Sequence, residues 1–294
     1  MPPDQPGLLA KAWQRGLRDT RVVMAGSVLA LVILVSILCP LLAPQNPYDL
    51  TQLDIMDSML PPLSRGAAGQ LYLLGTDDQG RDILSGIMYG LQISILVGIV
   101  SGVVALLIGT TVGLTAAYFG GIVDAALMRL VDLQLSFPAI LIALILVAVL
   151  GTGVDKIIIA LIVVQWAYYA RASRSAALVE RNKEYVEAAH CLRFGTFTIL
   201  RREILPNALP PMIVVGSAEV AAAIRLEATL SFLGLGLPVT QPSLGLMIAN
   251  GYQYMISGNY WISIYPGIAL LLTVASLNTL GDHLRDVLNP RSGD

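Results

Sequence analysis

Charged side chains are scarce in this sequence. Asp, Glu, Lys and Arg together make up 13% of 294 residues, against 55% for the hydrophobic types, and a soluble domain carries about twice that charged share. A water-soluble fold of this length could not cover its surface with so few charges, so the chain reads as an integral membrane protein. Excess charge of one sign is also lacking. The 18 basic and 20 acidic residues leave a net −2, which supplies no field for phosphates and excludes nucleic acid as a partner. Aromatics reach only 6%, while Gly numbers 27 and Pro 16; the aromatic girdles of an outer-membrane barrel are missing, and a helix bundle is left. Cys39 and Cys191 lie far apart, without a CxxC or Cys/His cluster, so neither a disulfide framework nor a zinc site is suggested. His190 and His283 are isolated and read as solvated loop residues. No GxxxxGKS or GxxxxGKT segment occurs, and lysine is confined to positions 11, 156 and 183, so the chain cannot cradle ATP phosphates with a P-loop.

What the sequence does have is long apolar runs. The first, residues 22–43, follows Lys11, Arg15, Arg18 and Arg21. It is too long for the h-region of a secretory signal, and Leu38 precedes Cys39 where a lipoprotein signal would want a small residue, so a retained span is expected. Residues 46–82 are polar and acid-rich and read as an outer segment. Further spans are expected at 91–118, 126–150, 157–178, 209–232 and 262–280, each near the ~20 residues that cross a bilayer. The expected fold is therefore all-α: a polytopic bundle of six transmembrane helices with both termini inside. On that reading the inner segments and the inner ends of the spans hold 14 basic residues (among them Lys11, Arg129, Arg171, Arg201 and Arg285) and the outer ones hold 3, Arg65, Arg81 and Lys156, with Arg225 deeper inside a span. The split follows the positive-inside rule. The organisation is thus an N-terminal segment 1–21, a first span 22–43, an outer segment 44–90, a five-helix core 91–281 and a C-terminal tail 282–294.

Two local patterns stand out. Gly98, Gly102, Gly109 and Gly113 share one face of the second span, as two small-xxx-small pairs suited to close helix packing. The inner loop 179–207 holds nine charges, and within it Tyr185, Ala188, Ala189 and Leu192 recur at helical spacing. A short amphipathic helix with little bulk suits seating in another protein's groove; an ordinary cytoplasmic hairpin is the alternative on pattern alone.

Glu187-Ala188-Ala189, followed by Ile204-Leu205-Pro206, resembles the EAA loop of bacterial ABC importer permeases. Gly75-Thr76-Asp77-Asp78-Gln79-Gly80-Arg81-Asp82 is similar to the GTDxxGRD segment of the dipeptide/oligopeptide/nickel subfamily. So are Gly120-Gly121 with Asp124, Arg129 and Asp132, Ser136-Phe137-Pro138, Tyr169-Ala170-Arg171, the run from Leu230 to Gly236, and the series Asn278, Gly281-Asp282 and Leu284-Arg285-Asp286. The resemblance covers most of the chain. It implies a permease subunit, not itself an enzyme, in the bacterial inner membrane. Its partners would be a second homologous permease, two cytoplasmic ATPase subunits carrying ATP and Mg, an extracytoplasmic binding protein and the lipid bilayer. It also implies that Glu184, Tyr185, Glu187, Ala188, Ala189, Leu192, Gly195, Ile204, Leu205 and Pro206 couple the chain to the ATPase. Substrates in the subfamily include peptides, nickel and other small solutes.

The sequence departs from the family at several points. Arg193 stands where the family carries the loop glycine, with Gly195 two positions later; Gly86 and Gln92 replace Arg, and Asn289 replaces Asp. The first of these bears on the turn of the loop. The charges within the fifth span are Glu219, Arg225 and Glu227, candidates for contact with the pathway or a partner. A secondary transporter would need a mid-membrane ion or proton site, for which the fifth span offers Glu219 and Glu227. An intramembrane enzyme would need a catalytic constellation that the spans lack.

Overall fold

A computed structural model describes residues 19–47, 49–238 and 240–288. Lys11, Arg15, Arg18, Asn289 and Arg291 lie outside the described residues. The long helices are α1 (Thr20–Leu42), α2 (Ile83–Phe119), α3 (Gly121–Leu135), α4 (Ala139–Leu150) and α5 (Val154–Arg181). A short α6 (Glu184–Cys191) leads through a turn into α7 (Leu205–Phe232), followed by α8 (Leu244–Tyr252) and α9 (Trp261–Leu288). Four helices are long and apolar enough to cross a membrane, or five if the bent pair α3–α4 makes one span. Where the fourth span is expected, α5 is 28 residues long but carries Gln165, Arg171 and Arg174 along its length. Large apolar side chains point outward from these helices, Ile37 at 68% and Leu107 at 63% exposure among them, a surface that suits lipid.

The elements differ from the sequence reading at three places. The run 126–150 is not one rod: α3 and α4 meet at 84°. Pro138 sits at the junction with φ −56° and ψ 128°; it lacks an N–H and disfavours helical backbone in the residue before it. The second span also begins earlier than residue 91. Asp82 caps α2 by accepting from the Ser85 N–H at 2.9 Å, so residues 83–90 are helix and not outer loop. At the other end, α9 runs on to Leu288, into the segment read as a tail.

The bundle is centred on α2. A methyl group at Gly109 would sit 2.5 Å from the Trp166 carbonyl and the Tyr169 Cβ, and one at Gly113 would strike the Ala170 carbonyl, so both glycines press on the α5 backbone. Gly98 and Gly102 face Ile224 and Val220 of α7. All four therefore face helices of the same chain. Salt bridges then pin α3 to α5: Asp124 takes both forks of Arg174 at 2.5 and 2.6 Å, and Asp132 accepts from Arg171 at 2.6 Å.

The GTDxxGRD segment is a turn with a structural role. It follows a small antiparallel pair, β1 (Ser64–Arg65) and β2 (Leu71–Tyr72). Buried Asp57 holds that pair by accepting from the Ala67 N–H at 2.8 Å and the Tyr72 hydroxyl at 3.0 Å. Asp77 Oδ1 accepts from the Gln79 and Arg81 N–H groups, each at 2.8 Å. Trp261 of α9 donates to the Thr76 carbonyl at 3.2 Å, which docks the segment on the bundle. Burial raises the Asp77 carboxyl from 3.8 to about 6, against the opposing pull of the Arg81 and Gln79 N–H groups.

Two predictions follow from this packing. Gly109→Val and Gly113→Val force backbone apart and are each expected to destabilise the subunit by ~1–3 kcal/mol, read as a lower midpoint of thermal unfolding in detergent; unchanged midpoints would refute the close packing. Folded Asp77 binds its proton more tightly than the unfolded chain does. Its contribution is therefore fully present below the unfolded value of 3.8 and is lost as pH rises through about 6. Asp77→Asn keeps the acceptor oxygen and should flatten this slope and raise the midpoint at neutral pH. Asp77→Ala strands two N–H groups and should lower the midpoint at every pH, by roughly 1–3 kcal/mol.

Candidate functional site

The loop after α5 is anchored on one side and open on the other. In α6, Val186 and Ala189 are buried against Leu114 and Ala117 of α2, Ala177 of α5, and Ile199 and Ile204 further along the loop. Glu184, Glu187 and Ala188 face outward, and Tyr185 is half-buried. The Tyr185 hydroxyl donates to Glu180 at 2.6 Å and accepts from the Asn207 amide at 3.2 Å, so one side chain ties the end of α5 to the start of α7. Burial, then the Glu180 carboxylate, push the Tyr185 hydroxyl up to about 12, so it keeps its proton as the donor. Lys183 closes on Glu180 at 2.7 Å, and the ring of exposed His190 stacks on Tyr118 at 6.1 Å.

Arg193 takes over the turn that a glycine would make. Its φ is 57°, in the left-handed region. The Phe194 N–H donates to the Ala189 carbonyl at 3.1 Å and the Arg193 N–H to the His190 carbonyl at 2.9 Å, the paired bonds of a Schellman cap. Gly195, by contrast, has φ −67° and open space around it, so the nearby glycine does not take over the turn. Leu192, Phe194 and Phe197, which follow α6 in the chain, are exposed, Phe197 at 72%.

Ile199–Ile204 is a π-helical turn. Pro206, in the first turn of α7, has no N–H to give to the Arg202 carbonyl, and the Leu205 N–H reaches back to Leu200 instead. The wider turn brings residues five apart towards one face, so Ile199 and Ile204 enter the same cluster. Leu205 packs at its edge, and Pro206 is exposed.

The span charges separate. Glu227 is fully buried within the chain, where three hydroxyls donate to it: Ser94 of α2 at 2.9 Å, Ser231 at 2.9 Å and Ser243, the cap of α8, at 3.2 Å. The Glu219 carbonyl accepts from Gln165 at 2.7 Å, while Arg225 is exposed. A cavity of about 910 Å³ opens between the end of α5, the first half of α7 and the end of α9, with Glu180, Asn207, Pro211, Ala218, Asn278 and Arg285 on its wall.

Residues 109–293 match the family described as the binding-protein-dependent transport system inner membrane component. The chain belongs to that family. It is a multi-pass membrane permease subunit of an ABC transport system, and not an enzyme. Residues 7–62 match the N-terminal TM domain of oligopeptide transport permease C. This permease is 36% identical to the dipeptide transport system permease protein DppC of Haemophilus influenzae, over 93% of this chain and 92% of that protein. It is 38% identical to the DppC of Escherichia coli K12, over 96% and 93%. A chain of the MetNI methionine ABC transporter, in an inward-facing conformation, superposes with a TM-score of 0.57 at 22% identity, over 70% of this chain and 97% of that one; the two share a fold.

Sequence reasoning missed the anchors of the permease loop. Val186 lies inside the EAA helix at a position that helical spacing from Ala189 would have picked out, and exposed Phe194 and Phe197 carry no periodic signal. Replacing Arg193 by glycine removes the left-handed penalty of roughly 1–2 kcal/mol, less the greater freedom of glycine in the unfolded chain. Arg193→Gly is therefore expected to stabilise the loop by about 0.5–1 kcal/mol, read as slower hydrogen exchange at residues 186–194; faster exchange would contradict the turn described.

Proposed function

We propose that this permease forms half of a translocation pathway for peptides, which an extracytoplasmic binding protein delivers and two cytoplasmic ATPase subunits drive. A second, homologous permease completes the pathway. ATP and Mg belong to the ATPases, in keeping with the missing P-loop. Peptide as the substrate class is supported by the names of the dipeptide permeases it resembles. The orientation proposed has residues 46–82 outside, the loop 179–207 inside and both termini in the cytoplasm, supported by the 14-to-3 division of basic residues.

The observation that carries this reading is the two-sidedness of α6. Val186 and Ala189 lock it to α2, α5 and the start of α7, while Glu184, Glu187 and Ala188 are left uncovered. A helix seated in this way passes a push from an ATPase groove directly to three helices, and alternating access by rigid-body rocking needs such a stiff link. Tyr185 stiffens it further by joining Glu180 to Asn207.

Ala188 is the position that tests coupling, because its side chain touches the outside of the loop and not the seat. Ala188→Trp should leave insertion, stability and permease pairing intact. In the complex it overfills the ATPase contact, at a cost of ~1–3 kcal/mol, so ATPase retention on an affinity column falls and uptake uncouples from hydrolysis in proteoliposomes. Normal retention and coupling in this variant would mean that the loop is not the link.

A further inference from the structure

The open face of α7 leads from the cavity to a lone cation. Pro211, Val214, Ala218, Ala222, Arg225 and Thr229 follow one another at intervals of three and four, so they share one stripe, and each is exposed or half-exposed. The first three of them line the cavity. About 10 Å further along the axis, at 1.5 Å per residue, the stripe reaches Arg225. Its guanidinium forms no hydrogen bond or salt bridge among the described residues; its charge acts on Glu219 without contact.

An ionised group in an apolar span is costly unless it faces water or a partner charge. The stripe that Arg225 shares with the cavity lining is the ground for setting it on the aqueous side. On the stripe only the small side chain of Ala222 stands between the cavity lining and Arg225, which leaves the approach clear. A guanidinium is a planar fork that matches a carboxylate with two parallel hydrogen bonds, and every unmodified peptide carries one α-carboxylate. The geometry points to Arg225 as a substrate-binding residue of the pathway, which takes the C-terminal carboxylate of the peptide in transit. This inference rests on the peptide-importer reading above. It gives the permease a selectivity of its own for free-acid peptides.

The test uses the full complex with its binding protein in proteoliposomes. Uptake of a dipeptide is compared with that of its C-terminal amide, each variant's rate being divided by the wild-type rate for the same peptide so that the binding protein's preference cancels. Arg225→Gln should lower uptake of the free acid roughly tenfold or more, the range for a lost charged hydrogen-bond pair, with the amide changed much less. Arg225→Lys should fall between. Because an uncharged residue here could impair assembly, the second arm uses Arg225→Cys in a Cys191→Ser background, Cys39 being buried, modified after the complex has been purified. A cationic aminoethylthio adduct should restore free-acid uptake, and a neutral methylthio adduct should not. Equal losses for acid and amide, or equal effects of the two adducts, would overturn the assignment and leave Arg225 a structural or partner-facing residue. A wild-type complex that imports no peptide would overturn the peptide reading itself, and this inference with it.

Discussion

The close approach of α2 to α5 is the contact from which the rest of the subunit is built. At Gly109 and Gly113 the two backbones touch, with no room for a single methyl group. In a bilayer, apolar side chains gain little by leaving lipid for protein, so association rests on packing and on polar contacts. Small residues that admit a neighbouring backbone are therefore decisive here. The same helix presents Ser94 to Glu227 towards one end and Leu114 and Ala117 to the loop cluster towards the other. Any displacement of α2 relative to α5 would move the polar latch and the loop seat together.

Polar groups inside this bundle are treated in two opposite ways. Glu227 is surrounded by three hydroxyl donors and draws α2, α7 and the cap of α8 together. A buried carboxylate without such partners would be strongly destabilising, so the serines and the acid form one unit. Arg225, two residues earlier, points to another face and has no such enclosure. Neighbours in sequence thus serve separate ends, because a two-residue step on a helix turns the side chain most of the way to the opposite side.

How far the sequence could be read depended on whether the signal was local. The apolar runs, the glycine spacing and the charged loop are local; the runs reappear as helices with shifted bounds, one of them broken in two, the glycines as close helix contacts and the loop as α6. The bend at Pro138 was legible in principle, since Ser136-Phe137-Pro138 was already singled out, but hydropathy sees composition and not direction. The early start of α2 was hidden because residues 83–90 border an acidic turn, and only the hydrogen bond from the Ser85 N–H to Asp82 shows where the helix begins. The short helix α8 lacks the length of a span, and its cap Ser243 is also a partner of Glu227, a pairing that no sequence pattern reveals. For the loop, spacing located the helix but could not tell which alanine faces inward. That depends on the cluster formed with α2 and α5.

The π-turn at Ile199–Ile204 holds one residue more than an α-helical turn would. A single residue inserted into an α-helix ordinarily rotates everything downstream by about 100°. Here the surplus is absorbed within the turn, so the loop seat and the stripe from Pro211 to Thr229 are phased separately along what is otherwise one 37-residue rod. The two working faces of this rod are consequently free to drift apart in evolution. A change in the length of the loop need not re-aim the lining of the cavity, and the lining can be altered without unseating α6.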